Sequence, residues 1–290
     1  MSVITEPDMF NNLDNNNRFI GTLPQMKNSK VIFNGSGNTL ICEGGVNLVN
    51  SCINFNGDNA VVYLSKSKYN YIISVSTNVE NVFYMGKDNY INGILNVILS
   101  EGKHCLIGDN CLISFGIWMR NADPHLVYDC ASNRRINPTK SIFIGDHVWI
   151  GQSAMILKGT KIDSGSIIGA MSLVAGKCIN SNESWGGNPC KKISENIFWE
   201  NSCVHKWNKS QTELSENFAV FSKKKNVPLS AYKFEYDEKE SIPYEKIDDI
   251  FTNKSVEEKI DFLKKLSSET VKNRFVHNNN KSLKKRFFRI

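Results

Sequence analysis

The sequence predicts a mainly β protein wound as a parallel coil, and three observations predict it. Aliphatic residues recur at six-residue steps without a slip at Ile144, Ile150, Ile156, Ile162, Ile168 and Val174, with glycine following at 145, 151 and 169. The same spacing, in a shifted register, appears upstream at Ile107, Ile113 and Met119. Corner-forming runs, Gly57-Asp58-Asn59, Gly86-Lys87-Asp88-Asn89 and Gly108-Asp109-Asn110, each precede an apolar stretch. A period of six fits neither the 3.6-residue helix nor simple alternation. It does fit a triangular coil in which each hexamer forms one side and the aliphatic residue points inward. Backbone groups then pair from coil to coil in a parallel ladder.

Taken in order along the chain, residues 1–30 form an N-terminal segment that includes an asparagine cluster at 11–17. The coil is expected over 31–192, with degenerate hexads before about residue 100. Asn, Asp and Gly tolerate the positive φ of sharp corners, and the coil accommodates many of the chain's abundant asparagines there. Between Met119 and Ile144 the polar stretch RNADPHLVYDCASNRRINPTKSIF breaks the rhythm, which predicts a loop extruded over 120–141. After GGNPCKKI the period stops, and 193–290 reads as a C-terminal extension. Within it, Ser194–Val204 is expected to be a short helix, and 231–250 strand or loop. Ser255-Val-Glu-Glu258 is a capping box that opens a helix near 255–272 with Val256, Ile260, Leu263 and Leu266 on one face.

Composition narrows the function classes. The 290 residues carry 35 Lys+Arg against 29 Asp+Glu, a net +6, and are 41% hydrophobic. No window approaches the ~18 continuous apolar residues of a membrane span. The N-terminus has neither a basic nor an apolar leader region, so no signal peptide is expected. Eight cysteines show no CxxC pair and no zinc spacing, which predicts reduced thiols in a cytoplasmic protein. His104, His125 and His147 are almost evenly spaced along the chain, but their contexts differ, and no metal site is predicted.

His125 is the sharpest candidate for chemistry. It lies in the extruded loop in Asn121-Ala-Asp-Pro-His125, near Asp123 and Asp129. A neutral imidazole there can accept a proton from a hydroxyl, and a carboxylate partner would fix its tautomer. A cysteine nucleophile would need an electropositive, accessible setting, and Cys130 near His125 is the one candidate; no covalent acyl-enzyme is required.

The hexad array, the loop histidine, VWIG at 148–151 and GGNP at 186–189 resemble the left-handed β-helix, or hexapeptide-repeat, acyltransferases over residues 100–193. Within that family DPHLVYD at 123–129, RIN at 135–137 and IGDHVWIGQ at 144–152 look most like the bacterial capsular polysaccharide and sialic acid O-acetyltransferases. The resemblance implies a left-handed parallel β-helix that moves an acetyl group from acetyl-CoA to a glycan hydroxyl. It assigns His125 as general base and Trp149 as a wall of the acceptor or thioester site, with a backbone N–H near Trp149 or Gly151 for the oxyanion. It sets the pantetheine arm against Gly169, Ala170 and Ala175, and its adenine end near Asn188 and Pro189. Lys158, Lys177, Lys191 and Lys192 are offered to the phosphates. Asp123, Arg134 and Arg135 are offered to the acceptor, whose carboxylate a guanidinium can hold. The family also implies a homotrimer with each active site between subunits. Two alternatives stand beside this reading. One is acetylation of another small acceptor, such as a nucleotide amino sugar, an antibiotic or serine; the other is a non-catalytic polysaccharide-binding solenoid.

The net charge is local. The stretch 272–290 holds seven Lys/Arg and no acid, so subtracting its +7 from the total of +6 leaves the rest of the chain at −1. A basic tail is therefore expected, with contact to a polyanion or to the inner face of the cytoplasmic membrane as its candidate role. Nothing else in the chain suggests nucleic acid.

Overall fold

A computed structural model describes residues 1–237 and 239–277. The chain winds into about seven turns of a three-sided parallel β-helix. Face 1 stacks Arg18–Gly21, Thr39–Cys42, Val61–Leu64, Val82–Met85, Cys105–Ile107, Ile142–Ile144, Lys161–Ile162 and Cys178–Ile179. Face 2 carries, in its C-terminal part, Tyr90–Ile91, Leu112–Ile113, Trp149–Ile150, Ile167–Ile168 and Glu183–Gly186. Face 3 runs from Lys30–Phe33 through Trp118–Arg120 and Met155–Leu157 to Leu173–Ala175. Antiparallel strands close both ends: Ser2–Ile4 on Lys30–Phe33, and Lys191–Glu195 on Glu183–Gly186. Each covers the edge of one parallel ladder at its end of the coil.

The coil begins earlier than residue 31, because Arg18–Gly21 already pairs with Thr39–Cys42. The hexad rhythm hides this for a geometric reason. The register runs Thr39↔Val61↔Val82 in the early turns but Phe143↔Lys161 later, so an early turn is longer than three hexamers and the later one matches three. Longer corners break the six-fold spacing while the inward positions, such as Val31, Ile53, Val75, Val97, Met119, Ile156 and Val174, stay stacked and buried. Asparagine serves those corners in two ways. Several asparagines adopt positive φ, among them Asn15, Asn16 and Asn59. Others form ladders: Asn17 Oδ1 accepts from Asn38 N at 2.9 Å, and Asn38 Oδ1 from Ala60 N at 2.9 Å.

The extension packs on the outer side of face 1. The helices α1 (Lys209–Ser215) and α2 (Phe218–Lys225) precede α3 (Tyr244–Asn253) and α4 (Val256–Ser268). Tyr244, Ile247 and Phe251 of α3, with Leu263 and Leu266 of α4, bury against Ile41, Val61, Tyr63, Val82, Tyr84, Leu106 and Phe143. Face 1 is thus apolar inside and out, which accounts for continuous runs such as VVYL and VFYM. The expected capping box forms, with Ser255 Oγ accepting from Glu258 N, and α4 ends at Ser268. The expected helix over Ser194–Val204 does not form; a 3-10 turn, Val204–Lys206, begins only at its last residue. Lys191–Glu195 extends the closing hairpin, and Ile197 N donates to Asn182 O at 3.0 Å, so pairing to the coil overrides local propensity.

The start of the basic tail is not a free tail. Phe275–Val276 pairs with Ile242–Pro243, and the Arg274 side chain is 1% exposed. Its guanidinium meets Asp146 at 2.6 Å and Asp109 at 2.8 Å, and donates to Leu266 O at 2.8 Å. His277 lies 2.8 Å from Asp163. A planar fork matches stacked corner carboxylates, so these charges fasten the extension to the coil. The rest of the tail, 278–290, lies outside the described residues. No helix among the described residues is long and apolar enough to cross a membrane.

Candidate active site

The extruded segment leaves face 3 after Arg120 and re-enters face 1 at Ile142. Asn137, almost fully buried, is its hub. Its Oδ1 accepts from Val127 N at 2.9 Å, and its Nδ2 donates to His125 O at 2.7 Å and to Asp123 Oδ2 at 3.2 Å. Lys158 reaches up from the coil to Asp123 at 2.5 Å and to Asn137 O at 3.2 Å. Arg135 forks onto Glu101 at 2.8 and 3.0 Å, and Thr139 also donates to Glu101. The Arg135 and Thr139 hydrogen bonds hold the Glu101 carboxyl down at about 2, and the Lys158 hydrogen bond keeps Asp123 below its usual range. The backbone around His125 is therefore clamped at several points. Its imidazole is exposed and makes no hydrogen bond among the described residues.

Three of the expected site residues also clamp the loop: Asp123 through Oδ2, Lys158 through Nζ and Arg135 through its guanidinium. Asp129 Oδ1 accepts from Ser132 N and Oγ at 2.7 Å each, and no hydrogen bond joins Asp129 to the His125 imidazole among the described residues. Arg134 stays exposed, and its carbonyl accepts from Asp129 N at 2.9 Å. Near the expected oxyanion donor, Trp149 N itself donates to Ser166 O at 3.0 Å and Gly151 N to Ile168 O at 2.7 Å. Both are ladder hydrogen bonds of the parallel coil. Gly151 is small because a Cβ there would sit 2.6 Å from Ala170 N.

The remaining expected residues line up along the last coils. Ala175 ends the last strand of face 3, Gly169 N donates to Trp185 O at 2.8 Å, and Ala170 follows at the corner. The Asn188–Pro189 bond is cis and turns the closing hairpin. Lys192 pairs with Glu195 at 2.7 Å and Glu183 at 3.3 Å, whereas Lys177 and Lys191 have no ion pair among the described residues. Of the four lysines, these two are the ones available to an anion.

His104 and His147 are drawn away from His125. His104 is buried; its Nδ1 accepts from Val82 N at 3.1 Å, and burial holds its pKa well below the usual value. His147, at φ 52°, stacks on Trp199 with centroids 3.9 Å apart. Trp199, Glu101 and Asn137 were missed as site residues. The RIN motif is the one sequence signal for Asn137. Glu101 and Trp199 lie far along the chain from Arg135 and Trp149, and only the fold brings them in.

Residues 141–176 match the bacterial transferase hexapeptide family (six repeats). The chain is 28% identical to a solved structure of the polySia-specific acetyltransferase NeuO, with a TM-score of 0.60 over 73% of this chain and 95% of that one. The match to the hexapeptide family thus falls on the regular coils between the extruded segment and the closing hairpin. It is also 26% identical over 192 residues to the polysialic acid O-acetyltransferase of Neisseria meningitidis, covering 66% of this chain and 88% of that relative. Against the polysialic acid O-acetyltransferase of Escherichia coli O1:K1 / APEC the identity is 35% over 102 residues, 35% of this chain and 33% of the relative. The chain is thus an acetyltransferase built on a left-handed parallel β-helix.

Proposed function

We propose that the protein transfers the acetyl group of acetyl-CoA to a hydroxyl of a sialic acid polymer. The observation that carries this reading is the exposed imidazole of His125 on a clamped loop, in a chain similar over most of its length to polysialic acid O-acetyltransferases. His125 takes the proton of the acceptor hydroxyl as its oxygen attacks the thioester carbonyl. The C–S bond then breaks and the proton passes to the departing thiolate. Lys177 and Lys191 bind the phosphates, and Trp149 walls the acceptor.

A threefold assembly supplies what one chain lacks. Tyr90, Phe115, Trp118, Met155 and Met171 are exposed on faces 2 and 3 or their corners, and Leu126, Val127 and Tyr128 are exposed beside His125. We assign these surfaces to contact between copies, so that His125 of one chain meets the thioester held by the next. The donor is a cytoplasmic metabolite, so we assign the reaction to the cytoplasm.

Thiol release from acetyl-CoA tests this with polysialic acid, monomeric sialic acid, a nucleotide amino sugar and chloramphenicol as acceptors. Turnover is expected with the polymer and should fall about 10²- to 10⁴-fold in His125→Ala. Faster turnover of any small acceptor would overturn the acceptor assignment, and an unimpaired His125→Ala the mechanism.

A further inference from the structure

The C-terminal extension returns one side chain to the coil beside Trp149. Trp199 is 6% exposed and lies flat on His147, with an interplanar angle of 2°. The two residues also exchange hydrogen bonds: Trp199 Nε1 donates to His147 O at 3.0 Å, and His147 Nε2 donates to Trp199 O at 3.2 Å. Tyr232 and Phe234 pack over the same imidazole at 5.6 and 5.8 Å. Burial holds the His147 pKa below the usual value, which favours the neutral ring that stacks here. The segment is fixed on either side, by Ile197 N to Asn182 O at 3.0 Å and by Glu200 to Lys225 at 2.8 Å. Trp199 also neighbours Trp149, with ring centroids 6.1 Å apart and tilted by 51°, while Trp149 itself stays 38% exposed.

We infer that Trp199 is a positioning residue for the acceptor site, holding the Trp149 indole in one orientation from behind. The inference rests on the proposed role of Trp149 as acceptor wall. Trp199 is too buried to touch a glycan, and an exposed indole next to a corner has many orientations unless something packs on its inner edge. An offset or tilted aromatic pair restricts it at a separation of about 4.5–7 Å. In this arrangement the extension, which lies outside the hexad array, shapes the site that the hexads build. A ring held in place presents a flat apolar face to a sugar without an ordering cost at binding.

Circular dichroism and steady-state kinetics test this on the full chain. Two indoles this close should give an exciton couplet at the far-ultraviolet indole band, lost equally in Trp149→Phe and Trp199→Phe. Trp199→Ala should raise the acceptor KM about five- to tenfold, with the acetyl-CoA KM and kcat within about twofold, the scale of one aromatic pair. Trp199→Phe, which keeps a ring on His147, should recover most of that loss. If Trp199→Ala does not fold, Trp199→Leu replaces it, with the same rise expected. A couplet surviving in either Phe variant, or an unchanged acceptor KM in Trp199→Ala (or in Trp199→Leu where it replaces it), overturns the positioning role. A wild-type enzyme that shows the couplet but ignores sialic polymers refutes the proposed acceptor instead, and the KM comparison then uses whichever hydroxyl acceptor is turned over.

Discussion

Arg274→Ala should lower the melting midpoint by about 5–8 °C, because it leaves two buried carboxylates without their cation. The guanidinium donates from Nε to Asp146 Oδ2 at 3.1 Å, from Nη2 to Asp146 Oδ1 at 2.6 Å and from Nη1 to Leu266 O, and lies 2.8 Å from Asp109. Burial works against its charge, but the two carboxylates outweigh burial and raise its pKa. The Asp109 and Asp146 side chains are 15% and 10% exposed, so little solvent replaces the lost cation. Breaking a buried pair by removing one partner costs about 3–5 kcal/mol. Unfolding entropy near ~2.1 cal/mol/K per residue gives roughly 0.6 kcal/mol/K for this chain, hence the stated shift. Burial, and the like charge of Asp146, already raise the Asp109 pKa with Arg274 present. A raised folded-state carboxyl favours the fold at low pH and disfavours it as pH rises through that value. The gap between wild type and Arg274→Ala should therefore narrow as pH falls from 7 towards 5. Arg274→Met combined with Asp109→Asn and Asp146→Asn should recover most of the midpoint. Thermal melts by circular dichroism read all of this, and an Arg274→Ala midpoint within about 1 °C of wild type would refute the fastening role.

Gly151→Ala should cost about 1–3 kcal/mol by thermal unfolding, since its Cβ would lie 2.6 Å from Ala170 N; Gly169→Ala, with its nearest contact at 3.5 Å, should be tolerated. Arg135→Ala and Asp123→Asn should each lower turnover at least tenfold through the His125 loop while leaving the melting midpoint unchanged, because these pairs are exposed. A midpoint that falls in step with turnover would instead make them structural. Burial lowers the His277 pKa, but the hydrogen bond and charge of Asp163 outweigh it, with Glu245 adding to the rise and Lys161 opposing it. A raised folded-state histidine pKa stabilises below the unfolded value of about 6.5 and loses that contribution as pH rises through the folded value. The stability advantage of wild type over His277→Gln should thus shrink between pH 6 and pH 9, and a constant difference would exclude the ion pair.

The coil was legible because its signal is local. Where one turn equals three hexamers, inward aliphatics and corner glycines recur at steps of six, and the ladder follows from backbone pairing alone. The earlier turns were legible only through their corners, since their longer coils spread the inward positions unevenly. His125 could be singled out because a polar histidine segment interrupts an otherwise regular array. Its neighbours could not be assigned roles in the same way. Nothing in Asp123, Arg135 or Lys158 as residue types tells a ligand contact from a clamp, and the partners that decide it, Glu101 and Asn137, are distant in the chain or set by the fold of the loop.

By itself, then, the sequence determined the parallel β-helix, the place where the loop leaves it, and the residue on that loop able to take a proton. Each depends on spacing along the chain. Only the tertiary structure decided that Trp149 N and Gly151 N are spent in the ladder and that Arg274 is a buried fastener in what reads as a solvated tail. It also decided that Trp199 stands behind Trp149. These facts depend on which distant groups share a corner, and a charge or an indole takes its role from the partner it meets there.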